Sequence, residues 1–278
     1  MITPLKDRLR AGNPMLGTFL NLGSPLAAEA CALGGFDWLL VDLEHGAGGE
    51  EALLGQLHAA AAHDVPVVVR VESAARIRIG RVLDLGAAGV MFPRLDTAAE
   101  AAEAIRHLRY PPDGDRGVAT YNRSRDFGLR TGPMTDANDT ITGIVQIESA
   151  SAVDEVEAIA ATPGVDVLFV GPGDLTHALG VPGQTDAPVY RKALARIAAA
   201  TRDTGTAAGI LTSTAEAAQT YLDEGFTFVG IGSDSSFLAA VARKTVTALR
   251  TPAACPRLGT NPSPAPHPPP ARKEQSMT

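Results

Sequence analysis

Cysteine is nearly absent from this chain, with only Cys31 and Cys255 in 278 residues. So few cysteines exclude a disulfide framework, and neither has the Cys/His spacing of a structural zinc site. Cys31 falls in a helical stretch and reads as a small apolar residue of the interior. Positive charge is short as well. Lysine and arginine total 24 against 31 acidic residues, for a net charge of −7. No dense basic cluster stands out, so a nucleic-acid partner is not expected. Long apolar runs are missing too, both in the opening MITPLKDRLRAGNP and along the rest of the chain. Neither a secretory leader nor a membrane span is therefore expected, and the chain reads as cytoplasmic. Only Lys6, Lys192, Lys244 and Lys273 are present, none at the end of a candidate strand. A Schiff-base mechanism needs a buried lysine at the reacting carbonyl, so that chemistry is not expected.

What the chain does have is a rhythm. Short apolar, β-branched runs alternate with alanine-rich helical stretches from about residue 15 to 250. Strands are predicted over 15–20, 36–42, 66–71, 88–93, 143–148, 166–171, 207–212 and 226–232. Their continuous apolar character is that of parallel strands buried on both faces. Helices are predicted near 25–34, 49–63, 74–86, 97–107, 150–162, 187–204, 214–224 and 235–250, many after an N-capping residue. Eight such pairs predict one α/β domain over 1–251, a TIM (β/α)8 barrel; an open doubly wound sheet is the alternative. Two stretches break the pattern. Residues 109–142 form a long polar connection, and 252–278 are so rich in proline and small polar residues that a disordered tail is expected.

In such a barrel the side chains leaving the C-terminal ends of the strands meet in one site. Those ends carry Asp42-Leu43-Glu44-His45, Arg70, Gln146-Ile147-Glu148-Ser149 and Gly171-Pro172-Gly173-Asp174. Glu148 and Asp174 suit a hard octahedral cation such as Mg²⁺ or Mn²⁺, with water and substrate oxygens completing the shell. On spacing alone they could equally be strand-end or helix-capping carboxylates. Arg70 follows three valines in a buried strand, so its charge serves either an oxyanion or a structural ion pair. Histidine is the side chain best suited to proton transfer near neutral pH, so His45 is the candidate general base, or else a structural histidine that orders its loop. His58, His63 and His107 fall in helices and are expected at the surface, while His177 stays undecided. The GPGD turn also leaves backbone N–H groups free for a substrate carboxylate.

Six blocks of the sequence, taken together, resemble the HpcH/HpaI aldolase family of metal-dependent pyruvate aldolases. They are GFDWLLVDLEH (35–45), VVVRV (67–71), RYPPDGDRGV (109–118), VQIES (145–149), GVDVLFVGPGDL (164–175) and FVGIGSD (228–234). The resemblance covers about residues 5–248. It implies a barrel of the phosphoenolpyruvate/pyruvate type that cleaves or forms 4-hydroxy-2-oxo acids through a pyruvate enolate, with an aldehyde as the other product or substrate. It also implies a divalent metal (Mg²⁺, Mn²⁺ or Co²⁺) on Glu148 and Asp174. His45 then matches the catalytic base, and Asp84 the acid that raises its basicity; from the residues alone Asp84 reads as the surface end of a helix. Arg70 matches the enolate-stabilising arginine, and Gln146, Gly173 and the Asp174 backbone match pyruvate-binding positions. A homo-oligomer, a hexamer or trimer of dimers, is implied as well. Same-scaffold condensing enzymes, of the citrate-synthase or macrophomate-synthase kind, are the alternative. The chain departs from the family at Gly173, Leu43 and 119–125, and the last of these is where acceptor identity is expected to be decided.

Overall fold

A computed structural model describes residues 3–250 of the chain. Eight strands close into a parallel barrel in chain order, the first pairing with the last. They are β1 (Met15–Leu20), β2 (Trp38–Asp42), β3 (Val67–Arg70), β4 (Gly89–Phe92), β5 (Thr142–Ile147), β6 (Val167–Val170), β7 (Ala207–Thr212) and β8 (Phe228–Ser233). The helices begin with α1 (Leu5–Arg10), which precedes β1, followed by α2 (Pro25–Leu33), α3 (Glu50–Ala61), α4 (Arg76–Asp84) and α5 (Ala98–Arg106). After β5 come α6 (Ala150–Asp154) and α7 (Val156–Ala160), and after β6 come α8 (Pro172–Ala178) and α9 (Pro188–Thr204). The described chain ends with α10 (Ala215–Asp223) and, beyond β8, α11 (Asp234–Arg250). The described residues divide into two units, one up to Ala239 that contains the barrel and one from Ala240 onward. The expected tail, 252–278, lies outside the described residues.

Every predicted strand is present, with ends moved by a residue or two. The helix expected over 150–162 is two short ones, because Glu155 (φ −99°, ψ 6°) leaves helical geometry. Helices α1 and α8 lie outside the predicted set. α8 starts inside the GPGD turn, where Pro172 occupies the first helical position and its missing N–H costs nothing.

Buried side chains form two clusters on the two faces of the strands. The smaller includes Phe19, Trp38, Leu40, Val68, Met91, Ile144, Phe169 and Phe228, with Leu5 of α1. Trp38 and Phe228 stack with ring centroids 4.0 Å apart. Gly17 makes room for this, since a Cβ there would fall 2.1 Å from the Trp38 ring. Side chains alternate faces along a strand, so each inward apolar position fixes which later residue of its strand shares that face. Trp38 and Leu40 lead to Asp42, Val68 leads to Arg70, Ile144 leads to Gln146 and Glu148, and Phe19 leads to Asn21. The apolar filling of the barrel thus gives way to polar side chains at the C-terminal rim.

The connection between α5 and β5 runs from a helix end to a strand start, which places it at the barrel's N-terminal side, away from that rim. It is ordered by its own side chains. Asn138 accepts from the Tyr110 N–H at 2.8 Å and donates to the Tyr110 carbonyl at 3.1 Å. Arg125, buried, donates to the carbonyls of Arg130 (3.3 Å) and Gly132 (3.0 Å).

Candidate active site

Asp42 and Arg70 are register partners at the ends of β2 and β3. The Asp42 side chain is fully buried, and the Arg70 side chain only 10% exposed. Arg70 Nε and Nη2 donate to the two Asp42 oxygens at 2.9 and 2.7 Å, a bidentate pair that locks the guanidinium plane. Nη1 is held less tightly, 3.3 Å from Gln146 Oε1 and 3.3 Å from Glu44 Oε2. Burial works against the arginine's charge, but the Asp42 hydrogen bonds and the charges of Asp42, Glu44 and Glu148 outweigh it, so its pKa is raised. Nη1 is therefore the end of a permanently charged group that a substrate oxygen can claim.

Asp42 also organises the loop that carries the histidine. Its Oδ1 accepts the backbone N–H groups of Glu44 (3.1 Å) and His45 (3.3 Å), while Oδ2 accepts Asn21 Nδ2 at 3.3 Å. Gly46 closes the turn, since a Cβ there would lie 2.2 Å from the Asp42 carbonyl oxygen. The His45 side chain is 66% exposed, with Nε2 3.8 Å from Glu44 Oε2. It lines two cavities. One, of about 580 Å³, includes Asp42, Arg70 and Gly173; the other, of about 300 Å³, includes Glu44, Glu148 and Asp174.

Glu148 extends from the end of β5 and is buried. Its Oε1 accepts the Arg94 N–H at 2.8 Å, and Oε2 accepts from Gln146 Nε2. Arg94 adopts φ 58°, a left-handed conformation costing ~1–2 kcal/mol in a non-glycine residue. The carboxylate it supports is strained electrostatically too. Burial pushes the Glu148 pKa up, and the nearby charges of Asp174 and Glu44 push the same way, against the Arg94 N–H and Arg70. Asp174, in the first turn of α8, is exposed. An excess of negative charge facing a small cavity is relieved by a cation, and hard carboxylate oxygens suit a divalent one. Among the described residues no three His, Cys, Asp or Glu side chains cluster as metal ligands. Glu148 and Asp174 would thus leave most of an octahedral shell to substrate and water.

The other expected residues divide. Gly173 lines the larger cavity, and a Cβ there would meet no atom within 4 Å, so glycine at this position is not a steric requirement. Asp84 stands apart from His45 in this chain. It ends α4, accepts from Arg116 Nη2 at 2.9 Å and lines a third cavity with Glu50 and His58. His58 is exposed, but the side chains of His63 and His107 are mostly buried and face Glu29 (3.5 Å) and Asp115 (2.7 Å). His177 is exposed and lines neither cavity at His45. Four contributors are not apparent from the sequence pattern: Asn21, the supporting role of Asp42, Arg94 and Gly171. A Cβ on Gly171 would fall 2.7 Å from Gln146 Nε2 and 3.3 Å from Glu148 Oε2. The inward alternation from Phe19 and Leu40 would have pointed to the first two. Nothing in the sequence marks the left-handed Arg94.

An arginine, a histidine and carboxylates at the carboxyl-end rim of a closed eight-stranded barrel define a (β/α)8 enzyme site. The sequence pattern described as HpcH/HpaI aldolase/citrate lyase matches residues 15–240, and the chain belongs to that family. It is 43% identical over 254 residues to a hydroxypyruvate/pyruvate aldolase of Paraburkholderia phytofirmans, covering 89% of this chain and 98% of that one. It is 39% identical over 245 residues to a 5-keto-4-deoxy-D-glucarate aldolase of Klebsiella pneumoniae, covering 88% and 96%. A solved HpcH/HpaI aldolase/citrate lyase family protein from Burkholderia cenocepacia superposes with a TM-score of 0.85 at 43% identity, covering 89% and 99%.

Proposed function

We propose that this aldolase cleaves and forms the C3–C4 bond of 4-hydroxy-2-oxo acids through a pyruvate enolate, with a divalent metal at Glu148 and Asp174. The observation that carries the reading is the convergence of Arg70, Gln146, Glu148 and the Asp42–His45 loop on one rim. Bound there, Mg²⁺, Mn²⁺ or Co²⁺ supplies Lewis acidity that acidifies the carbon next to the keto group. The protein's own groups do the rest. In cleavage, the His45 imidazole takes the proton of the C4 hydroxyl. The C3–C4 electron pair moves to form the C2–C3 double bond, an aldehyde departs, and negative charge gathers on the C2 oxygen. Arg70 Nη1 donates to that oxygen, exchanging its two 3.3 Å contacts for a stronger, charge-assisted one. Asp42 keeps the guanidinium in place while this happens. The Gly173 and Asp174 backbone at the start of α8 supports the substrate carboxylate. Protonation of the enolate at C3 yields pyruvate, and synthesis is the reverse.

The aldol reading is preferred to a citrate-type condensation because relatives near 40% identity carry aldolase names. A cytoplasmic homo-oligomer belongs to the same proposal. Among the described residues no helix is long and apolar enough to cross a membrane. Helix α11 exposes Leu238, Val241, Val246 and Leu249, a surface that a second copy would cover. Because Asp84 ends α4 beside Arg116, a role for it at His45 requires that second copy.

The experiment uses metal-stripped protein and pyruvate in D2O, with the methyl proton signal followed after Mn²⁺ is added and then chelated before acquisition. Metal-dependent loss of signal, abolished in His45→Ala and Arg70→Ala, is expected. Folded wild-type protein that exchanges nothing with any divalent metal would overturn the assignment.

A further inference from the structure

One carboxylate at the rim has no task in the reaction as described. The Glu44 side chain is only 13% exposed and lines the smaller cavity with Glu148 and Asp174. Its negative charge is one of those that raise the Glu148 pKa. A further carboxylate in such a place costs stability unless cations hold it. Among the described residues two do, and both meet the same oxygen. Glu44 Oε2 lies 3.3 Å from Arg70 Nη1 and 3.8 Å from His45 Nε2, and the side chain makes no other ion pair or hydrogen bond there. We propose that Glu44 is a positioning residue that passes from Arg70 to His45 during the reaction. It occupies Arg70 Nη1 until a substrate oxygen arrives, and then steadies the protonated imidazole. The inference rests on the aldol reading above and adds to it a coupling between the arginine and the base.

The geometry allows this exchange. Asp42 holds Arg70 Nε and Nη2 at 2.9 and 2.7 Å, whereas the contact of Nη1 with Glu44 is looser at 3.3 Å. A substrate oxygen on Nη1 therefore displaces Glu44 and leaves the Asp42 pair intact. The displaced carboxylate is a mostly buried anion with one cationic neighbour left, His45. Their proximity is built into the chain. Residues 44 and 45 are adjacent in a turn whose two N–H groups both bind Asp42 Oδ1, at 3.1 and 3.3 Å. The backbone is thus held, and rotation of the two side chains is enough to close the 3.8 Å gap.

Charge accounting points the same way. In cleavage the C4 hydroxyl proton passes to the imidazole, the C3–C4 electron pair becomes the C2–C3 double bond, and the C2 oxygen becomes negative. Arg70 meets the new anion. Glu44, which takes no proton itself, meets the new cation. Opposite charges therefore arise together, each beside its complement, and both ends of the transition state are stabilised. Before the reaction Glu44 works against the substrate, because it must first leave Nη1. Such a residue weakens binding and raises the rate, the pattern of a contact given up on the way to the transition state. All three groups belong to one chain, so this role needs no second copy, unlike that of Asp84.

The test is the methyl proton exchange of pyruvate in D2O, which the reading above assigns to His45 and Arg70. The full chain and Glu44→Gln are compared over a range of pyruvate concentrations, each at Mn²⁺ levels shown by calorimetry to saturate it. The amide keeps the shape of the side chain but neither competes for Arg70 as an anion nor neutralises His45. The maximal exchange rate is expected to fall by about tenfold, less than for a buried triad carboxylate because water screens the exposed imidazole. The half-saturating pyruvate concentration is expected to fall as well, by roughly two- to fivefold. Damage to the shape of the site would instead lower the rate and raise that concentration. Glu44→Ala, expected to show the same two falls, serves if Glu44→Gln does not fold. A wild-type maximal rate, or a half-saturating concentration that is unchanged or higher, would overturn the proposal while leaving the aldolase reading in place. Absence of exchange in the wild type itself defeats both.

Discussion

At the scale of single residues, the site is a set of charges that hold one another. Arg70 sits at the end of a strand whose preceding residues are all valine, and its charge is sustained there by Asp42 at 2.7 Å. Removing one partner of a buried pair leaves the other charge uncompensated, so Asp42→Asn is expected to destabilise the protein by about 3–5 kcal/mol in urea titrations. The activity lost should resemble that of Arg70→Ala, for which a fall of ~10²–10³ in kcat for retro-aldol cleavage is expected. An Asp42→Asn enzyme with wild-type kcat would show that Arg70 needs no anchor. Glu148 presents the opposite case. Its pKa is raised, so in metal-free protein its stabilising contribution is complete below the ordinary glutamate pKa and fades as pH rises through that value to the raised one. Thermal melts of metal-free wild type and Glu148→Gln should therefore diverge across that window, with the wild type losing more stability as pH rises. Parallel pH profiles would show that the carboxylate carries no such electrostatic strain.

At the scale of elements, the turn between β6 and α8 shows why two neighbouring glycines are not equivalent. A Cβ at Gly171 collides with the Gln146 amide, whereas one at Gly173 meets open space. Gly173→Ala is expected to change stability by no more than about 1 kcal/mol and to keep its turnover. Gly171→Ala should push Gln146 and Glu148 aside and weaken Mn²⁺ binding measured by calorimetry. Equal metal affinity in the two variants would count against this. The strand-to-helix rhythm was legible in the sequence because parallel strands buried on both faces must be apolar throughout, and all eight are where that pattern puts them. Less legible was the long 109–142 connection, whose 119–125 segment reads as the place where acceptor identity is decided. A loop that leaves α5 and enters β5 lies at the N-terminal side of the barrel, where its Arg123 and Arg125 hold backbone carbonyls and its Arg116 the Asp84 carboxylate. His63 and His107 escaped for a related reason, since the helical pattern shows which residues are polar but not which carboxylate waits across the groove.

At the scale of the whole molecule, metal and assembly add to what the single chain supplies. A cation that binds the folded state alone raises the melting temperature. With Mn²⁺ at about 100 times its dissociation constant, an increase of roughly 5–10 °C over protein in EDTA is expected for a chain of this size. Glu148→Gln and Asp174→Asn should each lose most of it, and a full shift in either would take the metal away from these carboxylates. Assembly is tested by light scattering, where a 28.8 kDa species alone would defeat the homo-oligomer. If Asp84 serves the His45 of a second copy, then mixing His45→Ala and Asp84→Ala chains after joint refolding should restore part of the proton exchange that each lacks alone. No recovery in mixed oligomers would leave Asp84 with its structural bond to Arg116.

The sequence by itself determined eight strand–helix pairs, because burial on both faces leaves a parallel strand little freedom in its composition; closure of β1 onto β8 was decided by the tertiary structure. The sequence also determined which polar residues could reach the rim, because only those at strand ends escape the apolar interior. Tertiary structure alone decided how these groups are used. It joined Asp42 to Arg70 across two strands and turned Arg94 into a left-handed conformation to meet Glu148. It also left the Asn21 side-chain oxygen without a donor and placed Asp84 at the far end of its helix. Each of these depends on the strand register and on the direction in which each helix leaves its strand, and contacts between residues 28 or 54 positions apart exist only once the sheet has closed.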